Sequence, residues 1–421
     1  MAVGIVDTLM TAPGPAFSFR SVALSALLPT FVFSIGQGAI IPMIPVIASS
    51  FGANLAFAGF LGGLFMLGEL LGDVPAGSLV ARFGERVAMI GAAIVCLAGL
   101  AVCLVFPTTV GLAVGIVLSG LSTSVFALAR HAFMTTYVPL QFRARALSTL
   151  GGTFRGGWAI GPFIAAALIH ATGQTSAVFW VHVVACVLVI GILLVVPDPS
   201  AVASRRLGRA AAEKLEKTER APVNVFTTIR DNRAVLGRMG AAAAIMSALR
   251  SSRTVILPLW AVAIGMADAQ TAVVIGIAGA VDFALFYTSG QIMDRFGRLW
   301  SAIPALTGLG LSHIVLAFTS TEGLFIAIAI TMALANGIGS GILMTVGADL
   351  APREDPARFL AAWRFTTHAG EATAPLLISG ITVVASLAAA SLSLGVLGLV
   401  GSLLFARYLP RYVPRVPRLR D

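Results

Sequence analysis

A chain of 421 residues in which 58% are hydrophobic and only 11% charged holds more apolar side chain than one water-soluble core can bury, so a bilayer must act as solvent for much of it. The net charge of +10 does not point to nucleic acid, because the arginines are scattered over segment ends and the C-terminal tail instead of forming one patch. No G-x-x-x-x-G-K-[ST] loop, H-E-x-x-H pair or Cys/His cluster at metal-ligand spacing is present, so neither an enzyme nor a bound metal or cofactor is expected.

The first nineteen residues carry Asp7 and no basic segment, and the first apolar run begins after Arg20, so no cleaved signal is expected. Twelve apolar runs long enough to cross ~30 Å of hydrocarbon follow. They cover 21–47, 55–80, 87–106, 110–137, 146–169, 176–196, 234–263, 268–292, 299–318, 322–348, 359–382 and 385–408, and predict an all-α membrane protein of twelve transmembrane helices. The polar stretch 197–233 contains both lysines, Lys214 and Lys217, and divides the runs six plus six. Within it, 209–220 has the pattern of a charged surface helix. The expected organisation is a six-helix bundle (1–196), a cytoplasmic linker (197–233), a second bundle (234–408) and a basic tail (409–421). Cys96, Cys103 and Cys186 all lie inside apolar runs and read as small packing residues.

Arginine placement gives the orientation, since positive charge stays on the cytoplasmic side of short loops. Arg82, Arg86, Arg143, Arg145, Arg295, Arg298, Arg353 and Arg358 fall in loops of one parity, with Arg407, Arg411, Arg415, Arg418 and Arg420 in the tail. Both termini are therefore expected in the cytoplasm of a cell bounded by this plasma (inner) membrane, and a monomer suffices.

The halves are copies. Adding 213 to a residue number carries Pro45 to Pro258, Gly63 to Gly276, Gly77 to Gly290, Arg82-Phe83-Gly84 to Arg295-Phe296-Gly297, Pro139 to Pro352, Arg145 to Arg358 and Pro162 to Pro375. Chance similarity of apolar runs would align leucines and alanines; these matches are prolines, glycines and arginines at helix ends. With an even number of helices per half, both copies insert the same way, so a pseudo-two-fold axis along the membrane normal is expected.

The matched turns also carry a family signature. Gly290-x-x-x-Asp294-Arg295-x-Gly297-Arg298, and its copy Gly77-x-x-x-Ala81-Arg82-x-Gly84-Glu85-Arg86 in which Ala81 replaces the usual Asp, resemble the loop motif of the major facilitator superfamily. The resemblance implies secondary transport by alternating access and a cytoplasmic gate, favouring the outward-open state, built from Gly77, Arg82, Gly84, Gly290, Asp294, Arg295 and Gly297. Gly157-x-x-x-Gly161-Pro162, with its degenerate mate ending at Pro375, is similar to the helix-five motif of twelve-span drug:proton antiporters. Its small residues also suit simple helix packing.

An ionised side chain at mid-membrane costs roughly 2.5–3.5 kcal/mol, yet Glu69, Asp73, Arg130, Arg155, Arg250, Arg253, Asp282, Arg364 and Glu371 all fall inside apolar runs. They occupy only runs two, four, five, seven, eight and eleven, which marks a polar interior between the halves. Glu69 and Asp282 are repeat mates, each eight residues before the motif glycine, or ~12 Å into the membrane. Either can carry a proton across, or form a permanent ion pair with Arg155 or Arg130. Asp73 belongs with them. Arg155 and His368 are also mates, one a fixed cation and the other titratable, and His368 shares a face with Glu371. Arg250 and Arg253, one turn apart, can clamp a carboxylate or phosphate or neutralise Asp282 and Glu371. Arg130, Arg155, Gln37, Asn336 and Trp158 complete the expected solute lining, while His182 and His313, on outer helices, are expected to pack. The reading is proton-coupled export (antiport) of small amphipathic compounds, with uniport or symport of an anionic metabolite as the alternative.

Overall fold

In a computed structural model, residues 23–138, 140–196, 225–352 and 356–413 are described, and they are helical almost throughout. The long helices in chain order are α1 (Ala23–Ser50), α2 (Leu55–Phe83), α3 (Glu85–Val105), α4 (Thr109–Tyr137), α5 (Leu140–Thr172) and α6 (Val178–Val195). After the short helices Val225–Asp231 and Arg233–Val235 come α7 (Ala241–Ala263), α8 (Asp268–Phe296), α9 (Leu299–Leu316), α10 (Glu322–Leu350), α11 (Pro356–Val384) and α12 (Leu387–Tyr412). Pro139, Arg353, the N-terminal 22 residues, most of the expected linker including 209–220, and the tail beyond 413 lie outside the described residues.

Among the described residues, nine helices are long and apolar enough to cross a membrane: α1 to α4, α6, α8 to α10 and α12. The other three helices, α5, α7 and α11, fall short for one physical reason. They carry Arg155 and His170, Arg250 and Arg253, and Arg364, His368 and Glu371, whose charge and polarity outweigh the apolar positions of the same helix.

Packing repeats between the halves. In the first, α2 lies on α4, α3 on α4 and α6, and α1 on α5 and α6; in the second, α8 lies on α10, α9 on α10 and α12, and α7 on α11 and α12. The halves meet through α5 with α8 and α2 with α11, which are again counterparts. Glycine permits the closest approaches. A Cβ on Gly161 would sit 2.5 Å from the Ala39 nitrogen, and one on Gly38 2.8 Å from the Trp158 Cα, so the α5 motif Gly157-x-x-x-Gly161 works here as a packing face against α1.

Two helices depart from the expected regular runs. α1 changes to a 3-10 turn at Ile41–Met43, where Pro42 and Pro45 remove successive backbone donors. α10, expected unbroken over 322–348, is interrupted after Ile338 and resumes at Ile342, with Gly341 in the left-handed region at φ 81°, a conformation glycine adopts without strain. The carbonyls released by the break are satisfied from neighbouring helices. Ser289 Oγ is 2.7 Å from Ile338 O and 2.5 Å from Ser340 O, Ser301 Oγ is 2.5 Å from Ile338 O, and the Arg250 guanidinium donates to Gly339 O at 3.1 Å.

Candidate functional site

Between the halves lies a cavity of about 490 Å³. One end is sealed. There Ser379 Oγ donates to Ala56 O at 2.8 Å, Gly63 abuts Pro375, Gly276 abuts the Phe163 ring, and Thr175 donates to Asp268. Toward the motif turns the halves part: the repeat mates Val74 and Tyr287 are 82% and 75% exposed. A Cβ on Gly77 or Gly290 would meet nothing within 4 Å. The expected close helix approach at these two glycines is therefore absent in this conformation, which is open on the arginine-rich side. The reversals are as expected, with Gly84 at φ 80° and Gly297 at φ 95°.

Around that open end, Arg82 and Arg295 lie over the adjacent Phe83 and Phe296 rings at 5.3 and 5.4 Å, and Asp294 is exposed. The second motif is anchored within its own half: Arg298 Nε donates to Asp349 Oδ2 at 2.8 Å, and this hydrogen bond raises the guanidinium pKa further above its ordinary value.

Ionisable groups inside the cavity fall into two groups, one on each seam. Where α2 meets α11, His368 Nδ1 is 2.7 Å from Asp73 Oδ2, and Asp73 Oδ1 also accepts from Ser124 at 2.5 Å. Glu69 lines the cavity beside them with no hydrogen bond or ion pair among the described residues, and its electrostatic neighbours are Glu371, His368, Asp73 and Arg130. Glu371, on the same face as His368, accepts from Ser247 at 2.8 Å, so the two have separate hydrogen-bond partners. Arg130 lies 4.9 Å over the Phe154 ring with its Nε unpartnered.

Where α5 meets α8, Arg155 and Arg253 approach Asp282 Oδ2 at 3.6 and 3.9 Å, and Asn336 donates to the same oxygen at 2.8 Å. Arg155 is also 4.8 Å over the Phe286 ring, and Arg253 donates to Met332 O at 3.2 Å. The expected Arg250–Arg253 clamp is thus partly engaged on the α10 backbone. Trp158 lines this side with its Nε1 buried and unpartnered.

Gln37, expected in the lining, is instead 1% exposed and donates to Thr123 at 2.7 Å. Its position and that of Thr123 correspond by repeat to Arg250 and Asn336. Uncharged and shorter, Gln37 is satisfied inside its own half. Sequence reasoning missed Ser124, Ser247 and Phe286 as partners of the charged groups; the one available signal was that Phe286 is the repeat mate of Asp73. It also missed that Cys96 and Cys186 converge on His182: the i, i+4 spacing of His182 and Cys186 was a signal for two of the three, but Cys96 comes from a separate helix that no spacing marks.

A polar cavity enclosed between two helical halves, with apolar helices on the outside, defines an integral membrane transporter and not an enzyme. The sequence matches the model of the Major Facilitator Superfamily over residues 26–354 and 254–421, and the chain belongs to that superfamily. Its fold is similar to that of a POT family transporter in complex with 5-aminolevulinic acid, at TM-score 0.72 and 13% identity over 95% of this chain and 99% of that one. It is also similar to the inward-open xylose transporter XylE from E. coli, at TM-score 0.67 and 14% identity over 95% and 96%. A D-xylose-proton symporter gives TM-score 0.68 and 15% identity over 94% and 97%. No curated protein matches the sequence.

Proposed function

We propose that this protein is a monomeric, proton-coupled secondary transporter of a small anionic solute, working by alternating access in a plasma membrane. All twelve long helices cross the bilayer as two six-helix bundles, 1–196 and 234–408, related by a pseudo-two-fold axis along the membrane normal. The termini, the linker 197–233 and the tail 409–421 lie in the cytoplasm. The repeated helix contacts support this arrangement, because α7 touches the same kinds of neighbours as its apolar counterpart α1, α5 and α11 match each other, and all three hold charges toward the cavity.

The observation that carries the functional reading is the segregation of charge. The cavity lining holds five arginines and four carboxylates, a net positive charge before either His131 or His368 takes a proton. The α5–α8 seam has the cationic excess, with Arg155, Arg250 and Arg253 around Asp282. The α2–α11 seam has the carboxylate excess, with Glu69, Asp73 and Glu371 beside Arg130, Arg364 and His368. An anion is attracted to the first seam and protons to the second, and a proton loaded with a monoanion leaves the net charge of the cavity unchanged, so that taking up the solute adds no net charge before the halves close over it. Glu69, with no bonded partner, is the principal proton carrier; Asp73, His368, Glu371 and Asp282 tune it. Arg155, Arg250, Arg253, Asn336, Trp158 and Arg130 hold the solute. Closing the arginine-rich end would bring the gate residues Arg82, Asp294 and Arg295 into play.

A D-xylose-proton symporter and a transporter bound to 5-aminolevulinic acid share this fold, which agrees with proton coupling and with a carboxylate-bearing solute. Antiport of amphipathic compounds is a second reading, favoured by the aromatic lining of Phe65, Phe154, Trp158 and Phe283. The test is transport in proteoliposomes under an imposed pH gradient, with amino acids, mono- and dicarboxylates, sugars and lipophilic cations as solutes. Acid-driven uptake of a carboxylate is the expected result. Movement of lipophilic cations alone, in exchange for protons, would replace symport by antiport, and no pH-driven movement of any class would remove the proton coupling.

A further inference from the structure

Away from the cavity, the first half contains a second polar cluster. The ligand atoms of Cys96 on α3 and of His182 and Cys186 on α6 all lie within 4.8 Å of one another. We infer that these three side chains form a binding site for one divalent, zinc-like metal ion that pins α3 to α6.

The donors fit such an ion in type and spacing. His182 and Cys186 are four residues apart and so project from one face of α6, with Cys96 facing them from the adjacent helix. The Cys96 sulfur is 3.6 Å from His182 Nε2, and a tetrahedral zinc with ordinary bond lengths holds its sulfur and nitrogen ligands about 3.5 Å apart. The three protein ligands leave the fourth tetrahedral position to a water. The imidazole is already oriented: the Phe33 ring meets it edge-on at 5.0 Å, and Gly36 leaves it room, since a Cβ there would come within 2.6 Å of His182 Cγ.

Charge selects the valence. All three residues are at most 2% exposed, among Ala93, Leu100, Phe126 and Val189. An uncompensated charge is costly in such surroundings. A divalent ion with two thiolates and a neutral imidazole carries no net charge; each ion bound releases the two thiol protons. A monovalent ion with the same ligands would leave a buried negative charge.

Repetition supplies an internal control. Counting on by 213, the positions of Cys96, His182 and Cys186 fall at Leu309, Gly395 and Leu399, and α9 packs on α12 there without a polar trio. Joining these two helices therefore does not of itself require cysteine; there Ser391 of α12 donates to His313 O of α9 at 2.7 Å.

The test is metal analysis of the full-length protein purified in detergent under reducing conditions and dialysed against zinc, then against buffer. About one zinc per chain is expected, since one set of three converging ligands holds a single ion. It should fall to background in Cys186→Ala and in His182→Asn. Cobalt in place of zinc should give a sulfur-to-metal charge-transfer absorption in wild type that Cys96→Ser weakens, and zinc should raise the melting temperature of wild type but not of Cys186→Ala. Wild-type protein that retains no zinc, shows no such absorption with cobalt, or has lost two hydrogens to a Cys96–Cys186 disulfide overturns the inference. The cobalt spectrum is read on wild type, so the result stands even if a variant fails to fold.

Discussion

His368 Nδ1 on α11 lies 2.7 Å from Asp73 Oδ2 on α2, joining the two halves through a pair that is ionic only while the imidazole holds its proton. At the repeat-equivalent place on the other seam, the fixed cation Arg155 lies over Phe286. The cation at this repeat position is thus titratable on one seam and fixed on the other.

Replacing His368 by arginine should place a fixed cation at the same repeat position on both seams. An arginine keeps its proton at every working pH, so the pH dependence of transport through this group should flatten between about pH 5 and 8, the range in which histidine ordinarily titrates. Initial rates of uptake across that range, compared with wild type, check this; an unchanged profile would show that His368 does not set it.

Glu69→Gln removes the cavity carboxylate that has no bonded partner among the described residues, while keeping its size. Uphill transport driven by a pH gradient should drop by at least about tenfold, the scale of a lost proton-transfer group. Solute exchange at equal pH should persist. Retained coupling would transfer the role to Asp282 or Glu371.

Ser289→Ala leaves the carbonyls at the α10 break short of a donor. A buried polar group left unpaired costs about 1–3 kcal/mol, so a lower melting temperature is expected in purified protein. Ser393→Ala, which removes only an exposed hydroxyl bonded to its own helix, should melt like wild type.

Gly161→Leu drives a side chain into the α1 backbone at Ala39. Overpacking of this kind costs about 1–3 kcal/mol, and α1 and α5 should separate or the protein should express poorly. Gly91→Leu, at a position where an added Cβ meets nothing within 4 Å, is the control, compared by size-exclusion profile and melting temperature.

The Arg298–Asp349 pair is partly exposed, at 28% and 24%. It should contribute less than about 1 kcal/mol once screening is allowed for. The raised guanidinium pKa lies above any working pH, so the pair's contribution should stay constant through neutrality. Asp349→Asn should therefore change melting slightly and equally at pH 6 and pH 8.

Much of the architecture was legible in the chain because it depends on local, periodic signals. Apolar runs of fixed length gave the helices to within a few residues at most ends, and the 213-residue offset anticipated which helices would be counterparts. The confinement of charge to six runs anticipated the cavity. The α10 break was missed even though Gly337, Gly339 and Gly341 stand in sequence there, because glycines also occur within unbroken membrane helices. Whether they unwind depends on donors such as Ser289 and Arg250 that arrive from elsewhere.

Composition by itself determined that this is a helical membrane protein with ionisable groups in its interior, since charge facing lipid would be costly. Tertiary structure alone decided which charge meets which: Asp73 with His368, Asp282 with Arg155, Glu69 with none, Gln37 turned away to Thr123, and Cys96 beside His182 and Cys186. Such pairings are set by distances of a few ångströms between helices far apart along the chain, and periodicity within one helix carries no information about them.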